Sequence, residues 1–148
     1  TLTRGSVLWP ATTPAFHFRG QFKMDDTAAG GVLFNAASED AGEGPVVKGM
    51  AIALAGAVPG PSGLLKQLPE ATLHTELDPE AVSAFALRPG EWNEIQVTAT
   101  GNVVRVFVNG LRVTELWGAA LPYTEGLAGL YHDGQGGPIT WRMISMTP

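Results

Sequence analysis

The sequence predicts an all-β fold, a two-sheet antiparallel sandwich that forms a single domain over residues 1–148. Nineteen glycines and eleven prolines punctuate short apolar runs, a pattern typical of many turns and few helices. Several segments alternate apolar and polar residues with the period of a half-buried strand. With 45% hydrophobic residues, a chain of this length buries roughly 70% of its unfolded surface and needs no metal or disulfide for a core.

A three-strand meander over residues 92–115 is the best-defined part of this prediction. Its strands are expected at 92–100, 103–108 and 111–116. Gly101-Asn102 forms the first turn and Asn109-Gly110 the second. Because Asn and Gly both tolerate the positive φ of a type I′ turn, the second pair predicts a tight hairpin and sets its register.

The rest of the chain is predicted to supply further strands and at most one short helix. Alternation and short apolar runs place these strands at 16–25, 31–36, 48–55, 127–132 and 139–146. Residues 56–70 are rich in Gly and Pro, so we expect an irregular segment with one short strand. The helix is expected to begin at Asp78-Pro79-Glu80, an N-cap acid followed by proline, and to end near Phe85.

Composition and charge exclude several classes of function. The absence of cysteine excludes disulfides, thiolate zinc sites and cysteine nucleophiles. A net charge of −5 without a basic run argues against nucleic-acid binding. The longest apolar stretch, 49–58, is about half of a membrane span. The chain begins at Thr1, which we interpret as trimmed ends or a removed leader. We expect an extracytoplasmic location, periplasmic or at the cell surface, or peripheral to a membrane.

The order of short motifs from residue 88 onward resembles that of the 3-keto-disaccharide hydrolase family. Arg88-Pro89-Gly90-Glu91-Trp92-Asn93, followed by the two turns above, is similar to its P-x-G-E-W-N … G-N … l-N-G run. Residues 126–134 are similar to its G-x-I-G-L-Q-x-H-G strand, and residues 139–144 to its closing strand. The resemblance implies a concanavalin-like jelly roll. We expect these motifs to be structural: Trp92 covers the core, Asn93 bonds loop backbone, and Gly129 permits close backbone approach or a bulge.

One strand departs from the family pattern in a way that bears on function. Where the family carries G-Y-E-x-Q-I-x-D on its concave sheet, this chain reads GMAIALAG over residues 49–56. Ala51 and Ala53 replace the glutamate and the glutamine, and no acid follows. Because glycoside cleavage needs a positioned acid with a base or nucleophile, and keto-sugar elimination needs a base, this strand predicts a non-catalytic module.

Two sets of residues are candidates for a site. If the chain is a 3-keto-glycoside hydrolase, which is the alternative hypothesis, His132, Asp133 and Arg142 are the expected contributors, with His132 as general base. A histidine hydrogen-bonded to loop backbone is the competing interpretation of His132. Trp117, Tyr123 and Tyr131 are expected to form a rim on which a sugar ring stacks, whereas Trp9, Trp92 and Trp141 are expected in the core.

No metal or cofactor is predicted. His17, His74 and His132 are too scattered for a metal centre. The acidic residues Asp25, Asp26, Glu39, Asp40 and Glu43 are interpreted as solvated loop positions rather than a calcium site, because they match no EF-hand pattern. We therefore predict a non-catalytic module that binds carbohydrate, or that serves as an accessory structural subunit bound to other proteins of a larger assembly.

Overall fold

The computed structural model describes residues 1–9, 16–40, 45–56, 64–68, 72–74, 87–100, 103–117, 127–134 and 136–147. It contains eleven strands: β1 Gly5–Trp9, β2 Phe16–Met24, β3 Ala29–Asp40, β4 Pro45–Ala55, β5 Leu64–Leu68, β6 Thr72–His74, β7 Asn93–Thr100, β8 Val103–Val108, β9 Leu111–Trp117, β10 Leu127–His132 and β11 Ile139–Thr147. These residues include no helix, and therefore none with the length and hydropathy to cross a membrane. The short helix predicted from Asp78 lies outside them.

The strands form two antiparallel sheets. The six-stranded sheet has the order β1-β10-β3-β4-β5-β6, and the five-stranded sheet has the order β11-β2-β7-β8-β9. Every pairing is antiparallel. The predicted all-β, two-sheet antiparallel sandwich is therefore confirmed.

The meander is confirmed as the consecutive strands β7, β8 and β9. Residues of β7 alternate between buried and half-buried, with Ile95, Val97 and Ala99 buried. Asn109 and Gly110 have φ values of 52° and 81°, as the predicted type I′ turn requires.

Two motifs of the meander are joined by hydrogen bonds. The Asn93 side chain is 2% exposed, and its Nδ2 donates to the carbonyls of Arg88 and Glu91 at 2.9 Å each. Its Oδ1 accepts from the Arg88 amide at 2.8 Å and from Asn109 Nδ2 at 2.9 Å. Asn109 Oδ1 in turn accepts from the Glu94 amide at 2.8 Å. The expectation that Asn93 bonds loop backbone is confirmed.

Two strands were not predicted. β5 is the short strand expected within residues 56–70, but β1 and β6 have no counterpart among the predictions. Both are short and lie at opposite edges of the six-stranded sheet. In β1, Ser6 and Val7 are both exposed and Leu8 is half-buried. The residues of this strand therefore carry no period-two pattern, and the strand is defined by its pairing with β10.

The main core lies between the two sheets. From β2 it takes Phe18, Phe22 and Met24, which are 0–1% exposed and share one face of the strand, as predicted. Trp141 packs against it, edge-on to Phe18 at 6.2 Å and tilted against Phe22 at 5.4 Å between ring centroids. Each fully buried Phe contributes about 1.5–3 kcal/mol through loss of exposed apolar surface. Trp92 is half-buried rather than enclosed in this core.

A second apolar cluster lies on the other face of the six-stranded sheet. Leu33 and Ala51 are paired across β3 and β4 and are 0% exposed. Their chain neighbours Val32 and Ile52 belong to the main core. Because successive side chains of a strand point to opposite faces, Leu33 and Ala51 face away from that core, where they pack with Ala36, Leu8 and Tyr131. The described central part of this sheet is therefore apolar on both faces.

Candidate functional site

The outer face of the six-stranded sheet, meaning the face turned away from the main core, carries the strand that departs from the family pattern. Pairing places Tyr131, Gly31 and Ala53 in one row across β10, β3 and β4. Leu33 and Ala51 form the next row. Ala51 and Ala53 are buried. At these two positions, where the resemblance leads us to expect a glutamate and a glutamine, the chain presents methyl groups.

A shallow cleft opens at one end of this outer face. Its volume is about 100 Å³, and its described lining consists of Ala29, Gly30, Ala53, Leu54, Ala55, Tyr131 and Asp133. Burial, followed by the nearby Asp133 carboxylate, raises the pKa of Tyr131 well above its ordinary value. The Tyr131 hydroxyl, which is protonated at neutral pH even at its ordinary pKa of 10.0, is a hydrogen-bond donor. The cleft combines an alanine floor, one aromatic wall and one carboxylate.

His132 follows Tyr131 in β10 and points to the opposite face, toward the core. The side chain is fully buried. Its Nδ1 accepts from the Gly134 amide at 2.9 Å, and its Nε2 donates to the Gly137 carbonyl at 2.7 Å. These partners assign the neutral tautomer protonated at Nε2. Since both ring nitrogens are engaged with the loop backbone, His132 braces the turn between β10 and β11; its role as a base stays a prediction.

Asp133 and Arg142 lie on different sheets. Asp133 directly follows β10 and lines the cleft, and its Oδ1 is 3.9 Å from Nδ1 of His132. Arg142 lies on the five-stranded sheet, where its Nε donates to Gln21 Oε1 at 2.7 Å and its guanidinium covers the Trp92 ring at 3.7 Å. The structure thus brings His132 and Asp133 together but places Arg142 elsewhere, so the three predicted catalytic residues do not share one site.

Of the three predicted aromatic ligand-binding residues, Tyr131 lies in the cleft. Trp117 ends β9 on the five-stranded sheet, but its side chain lies outside the described part of the structure. Tyr123 lies outside the described residues altogether. Their roles in ligand binding stay predictions.

The described residues hold no cluster of three metal-ligating side chains. The Asp25 carboxylate is engaged in its own turn, where Oδ1 accepts from the Thr27 amide at 2.8 Å and from the Thr27 hydroxyl at 2.6 Å. These hydrogen bonds lower the pKa of Asp25. The side chains of Glu39, Asp40 and His74 lie outside the described residues, as does Glu43.

Sequence reasoning missed a second surface, on the five-stranded sheet. A groove of about 490 Å³ is lined there by Arg19, Gln21, Glu94, Met143, Ile144 and Ser145. The Glu94 carboxylate accepts from Gln96 at 3.0 Å and from Arg19 at 3.0 Å. The Gln96 hydrogen bond first, and then Arg19, lower the pKa of Glu94. The alternation of β2 predicted the polar face of that strand. Nothing in the sequence predicted the bulge in β11, where Met143 is exposed and has a φ of 53°.

Comparison with known proteins agrees with this architecture. A family model described as a 3-keto-alpha-glucoside-1,2-lyase-like domain matches residues 3–147. No curated protein sequence matches the chain. A candidate glycosyl hydrolase of Parabacteroides distasonis ATCC 8503 is similar in structure, with a TM-score of 0.68, 16% identity and coverage of 99% of this chain and 75% of that one.

Two solved carbohydrate-related proteins are also similar. The carbohydrate-binding module CBM66 of Bacillus subtilis has a TM-score of 0.62 at 11% identity, over 99% of this chain and 84% of that one. Sheep galectin-11, solved with glycerol, has a TM-score of 0.58 at 14% identity, over 99% of each chain. At these identities the likeness shows the fold, and it confirms the predicted jelly roll.

Proposed function

The chain belongs to the 3-keto-alpha-glucoside-1,2-lyase-like domain family, and from this premise we propose that it is a non-catalytic, carbohydrate-binding member of it. The observation that carries the proposal is the outer face of the six-stranded sheet. Ala51 and Ala53 stand where family members present an acid and an amide, and both are buried.

The chemistry of the cleft supports the absence of catalysis. Retaining and inverting glycosidases use two carboxyl groups roughly 5 to 9.5 Å apart. Asp133 is the one carboxylate in the described lining of the cleft. An elimination would need a free base, and both ring nitrogens of His132 are already hydrogen-bonded.

The same cleft supports binding of a sugar. The Tyr131 ring offers an apolar surface for the C–H face of a pyranose, and its protonated hydroxyl is a donor. Asp133 is a charged acceptor for sugar hydroxyls. The volume of about 100 Å³ is below the roughly 300–1,000 Å³ usual for enclosed ligand pockets. We therefore expect weak binding of one terminal sugar unit rather than enclosure of an oligosaccharide.

Location and assembly are further parts of this proposal. Carbohydrate polymers lie largely outside the cytoplasm, so the module is proposed to act in the periplasm, at the cell surface or on a membrane-peripheral assembly. As an accessory subunit it would bring that assembly to a glycan. Fractionation of the native source and co-purification with partner proteins test these two points.

An array of neutral glycans tests the binding proposal. We expect binding by the unchanged protein and a loss of at least about tenfold in Tyr131→Ala, since aromatic contacts and the hydroxyl are removed together. Tyr131→Phe keeps the ring and should retain most of the affinity. Trp117→Ala tests the predicted rim. Binding that is unchanged in Tyr131→Ala, while the variant unfolds at the same temperature as the parent, would contradict the cleft assignment.

The family itself favours one alternative, hydrolysis of a 3-keto-glycoside with His132, Asp133 and Arg142 as contributors. Incubation with a 3-keto-disaccharide is expected to give no product above the uncatalysed rate. His132→Ala also removes the hydrogen bonds that hold the adjoining turn. Asp133→Asn is therefore tested as a second variant. Turnover that both substitutions abolish would overturn the non-catalytic proposal.

A further inference from the structure

The outer face of the five-stranded sheet is positively charged although the chain is acidic. Pairing across β11, β2, β7, β8 and β9 places on it five of the nine basic side chains and two of the fourteen acidic ones. We call this surface the basic face; its charged members are Arg19, Lys23, Arg105, Arg112, Arg142, Glu94 and Glu115. It lies on the opposite side of the sandwich from the Tyr131 cleft.

Two cations of the basic face have no carboxylate partner among the described residues. Arg19 is 3.0 Å from Glu94, and Glu115 is 3.0 Å from Arg105 and 2.9 Å from Arg112. Arg142 and Lys23 instead lie over the ring of Trp92, at 3.7 and 5.9 Å from its centroid. The ring holds the two charges in place by cation–π attraction, and both side chains remain exposed.

The groove next to Arg142 has the size and lining of a ligand site. Its volume of about 490 Å³ lies in the usual range for small-molecule sites. One wall is apolar, formed by Met143 and Ile144, which are 73% and 37% exposed. The rest of its lining includes the amide of Gln21 and the Arg19–Glu94 ion pair. An apolar wall beside planar polar groups suits a sugar ring, which has a C–H face and hydroxyl edges.

We propose that the basic face binds an acidic polysaccharide. Carboxylates of the polymer pair with Arg142 and Lys23, and one of its sugar rings enters the groove against Met143. From β11 to β9 the face spans four inter-strand spacings, or about 19 Å, which suits an extended chain. Between the charges the face carries Gln21, Gln96 and Thr98, whose amide and hydroxyl groups can hydrogen-bond the hydroxyl groups of such a polymer.

Calorimetric titration with polygalacturonate, and with its methyl-esterified form as the uncharged control, tests this proposal. We expect binding to the acid form, weakening as salt rises because exposed charges are screened. Binding of the esterified form should be at least about tenfold weaker. Arg142→Gln should lose about tenfold, as expected when a hydrogen bond to a charged group is removed. Arg4→Gln removes one exposed charge away from the basic face and should leave binding unchanged.

Four outcomes would overturn the proposal. They are equal binding of the esterified polymer, equal losses in Arg142→Gln and Arg4→Gln, binding to phosphatidylserine vesicles without binding to polygalacturonate, and no binding at all. Ile144→Ser should weaken binding without a change of charge. Unchanged binding in this variant would show that the groove is not part of the binding site. Tyr131→Ala should bind polygalacturonate normally, so failure of the neutral-glycan proposal and failure of this one are distinguishable.

Discussion

The side chain of Asn93 connects three parts of the backbone through one amide group. Its Nδ2 donates to the carbonyls of Arg88 and Glu91, and its Oδ1 accepts from the Arg88 amide and from Nδ2 of the hairpin residue Asn109. The partners also fix the orientation of the amide, because a flipped group would face donors with donors. The tight hairpin and the loop that precedes β7 are therefore held in one arrangement.

Replacing Asn93 with Ala should lower the free energy of unfolding by about 3 kcal/mol, because several buried backbone groups lose their partner. The measurement is urea unfolding followed by tryptophan fluorescence. Asn93→Asp keeps the acceptor but turns a carboxylate oxygen toward the Arg88 and Glu91 carbonyls in a buried site, so it should lose at least as much stability as the alanine variant. A loss below about 1 kcal/mol for Asn93→Ala would contradict the role assigned to this network.

Single residues differ in how far the sequence predicts their role. Asn93 and the structural interpretation of His132 follow from motifs whose partners are near in the chain. The stacking of Arg142 on Trp92 does not, because the two residues are 50 positions apart and meet through the register of β11, β2 and β7. Sequence reasoning accordingly placed Trp92 in the core and Arg142 beside His132.

At the scale of strands, the sequence predicted the tight hairpin turn but not the short edge strands. The Asn109-Gly110 pair predicted the β8–β9 hairpin because its conformation depends on those two residues. β1 and β6 were not predicted because they have only five and three residues, too few for an alternation of apolar and polar residues to be recognised. The bulge in β11 could not be predicted from the sequence either, because Met is not a residue that favours positive φ.

Two glycine substitutions separate a backbone effect from a packing effect. In Gly110→Ala the new methyl meets no atom within 4 Å, so the φ of 81° alone should cost about 1 kcal/mol. In Gly129→Ala the methyl would collide with the Val7 carbonyl of β1. That strand must shift, and we expect a loss of at least about 2 kcal/mol.

Thermal and urea unfolding of the two glycine variants measure this difference. Gly110→Asn is the control for the first, because Asn adopts left-handed conformations more readily than Ala. Equal losses in Gly110→Ala and Gly129→Ala would show that close approach of β1 to β10 is not the constraint at Gly129.

At the scale of the whole molecule, acid should unfold the protein partly through Glu94. Its pKa in the folded state lies below the ordinary value of 4.5. The stabilisation is therefore complete above pH 4.5 and is lost as the pH falls through the lower folded-state pKa. Urea unfolding between pH 3 and pH 7 should show this decline. Glu94→Gln should flatten it, and an unchanged slope in that variant would assign the acid sensitivity to other groups.

The two faces of the sandwich show why only part of the candidate site was predictable. The loss of polar groups at Ala51 and Ala53 is visible in one contiguous strand. The basic face is assembled from one or two charged residues on each of five strands between residues 19 and 142, and the net charge of −5 conceals it. Composition describes the average charge of the chain and gives no information about this face.

The bulge at Met143 also affects how the molecule avoids self-association. β11 is an edge strand of the five-stranded sheet, and an open edge can pair with a strand of another chain. Two residues, Met143 and Ile144, stand opposite one residue of β2, between the Arg142 and Ser145 pairings, so the edge is twisted and irregular there. The residues that form the groove wall thus also keep the sheet from growing by strand addition, which is how β-rich proteins begin to aggregate.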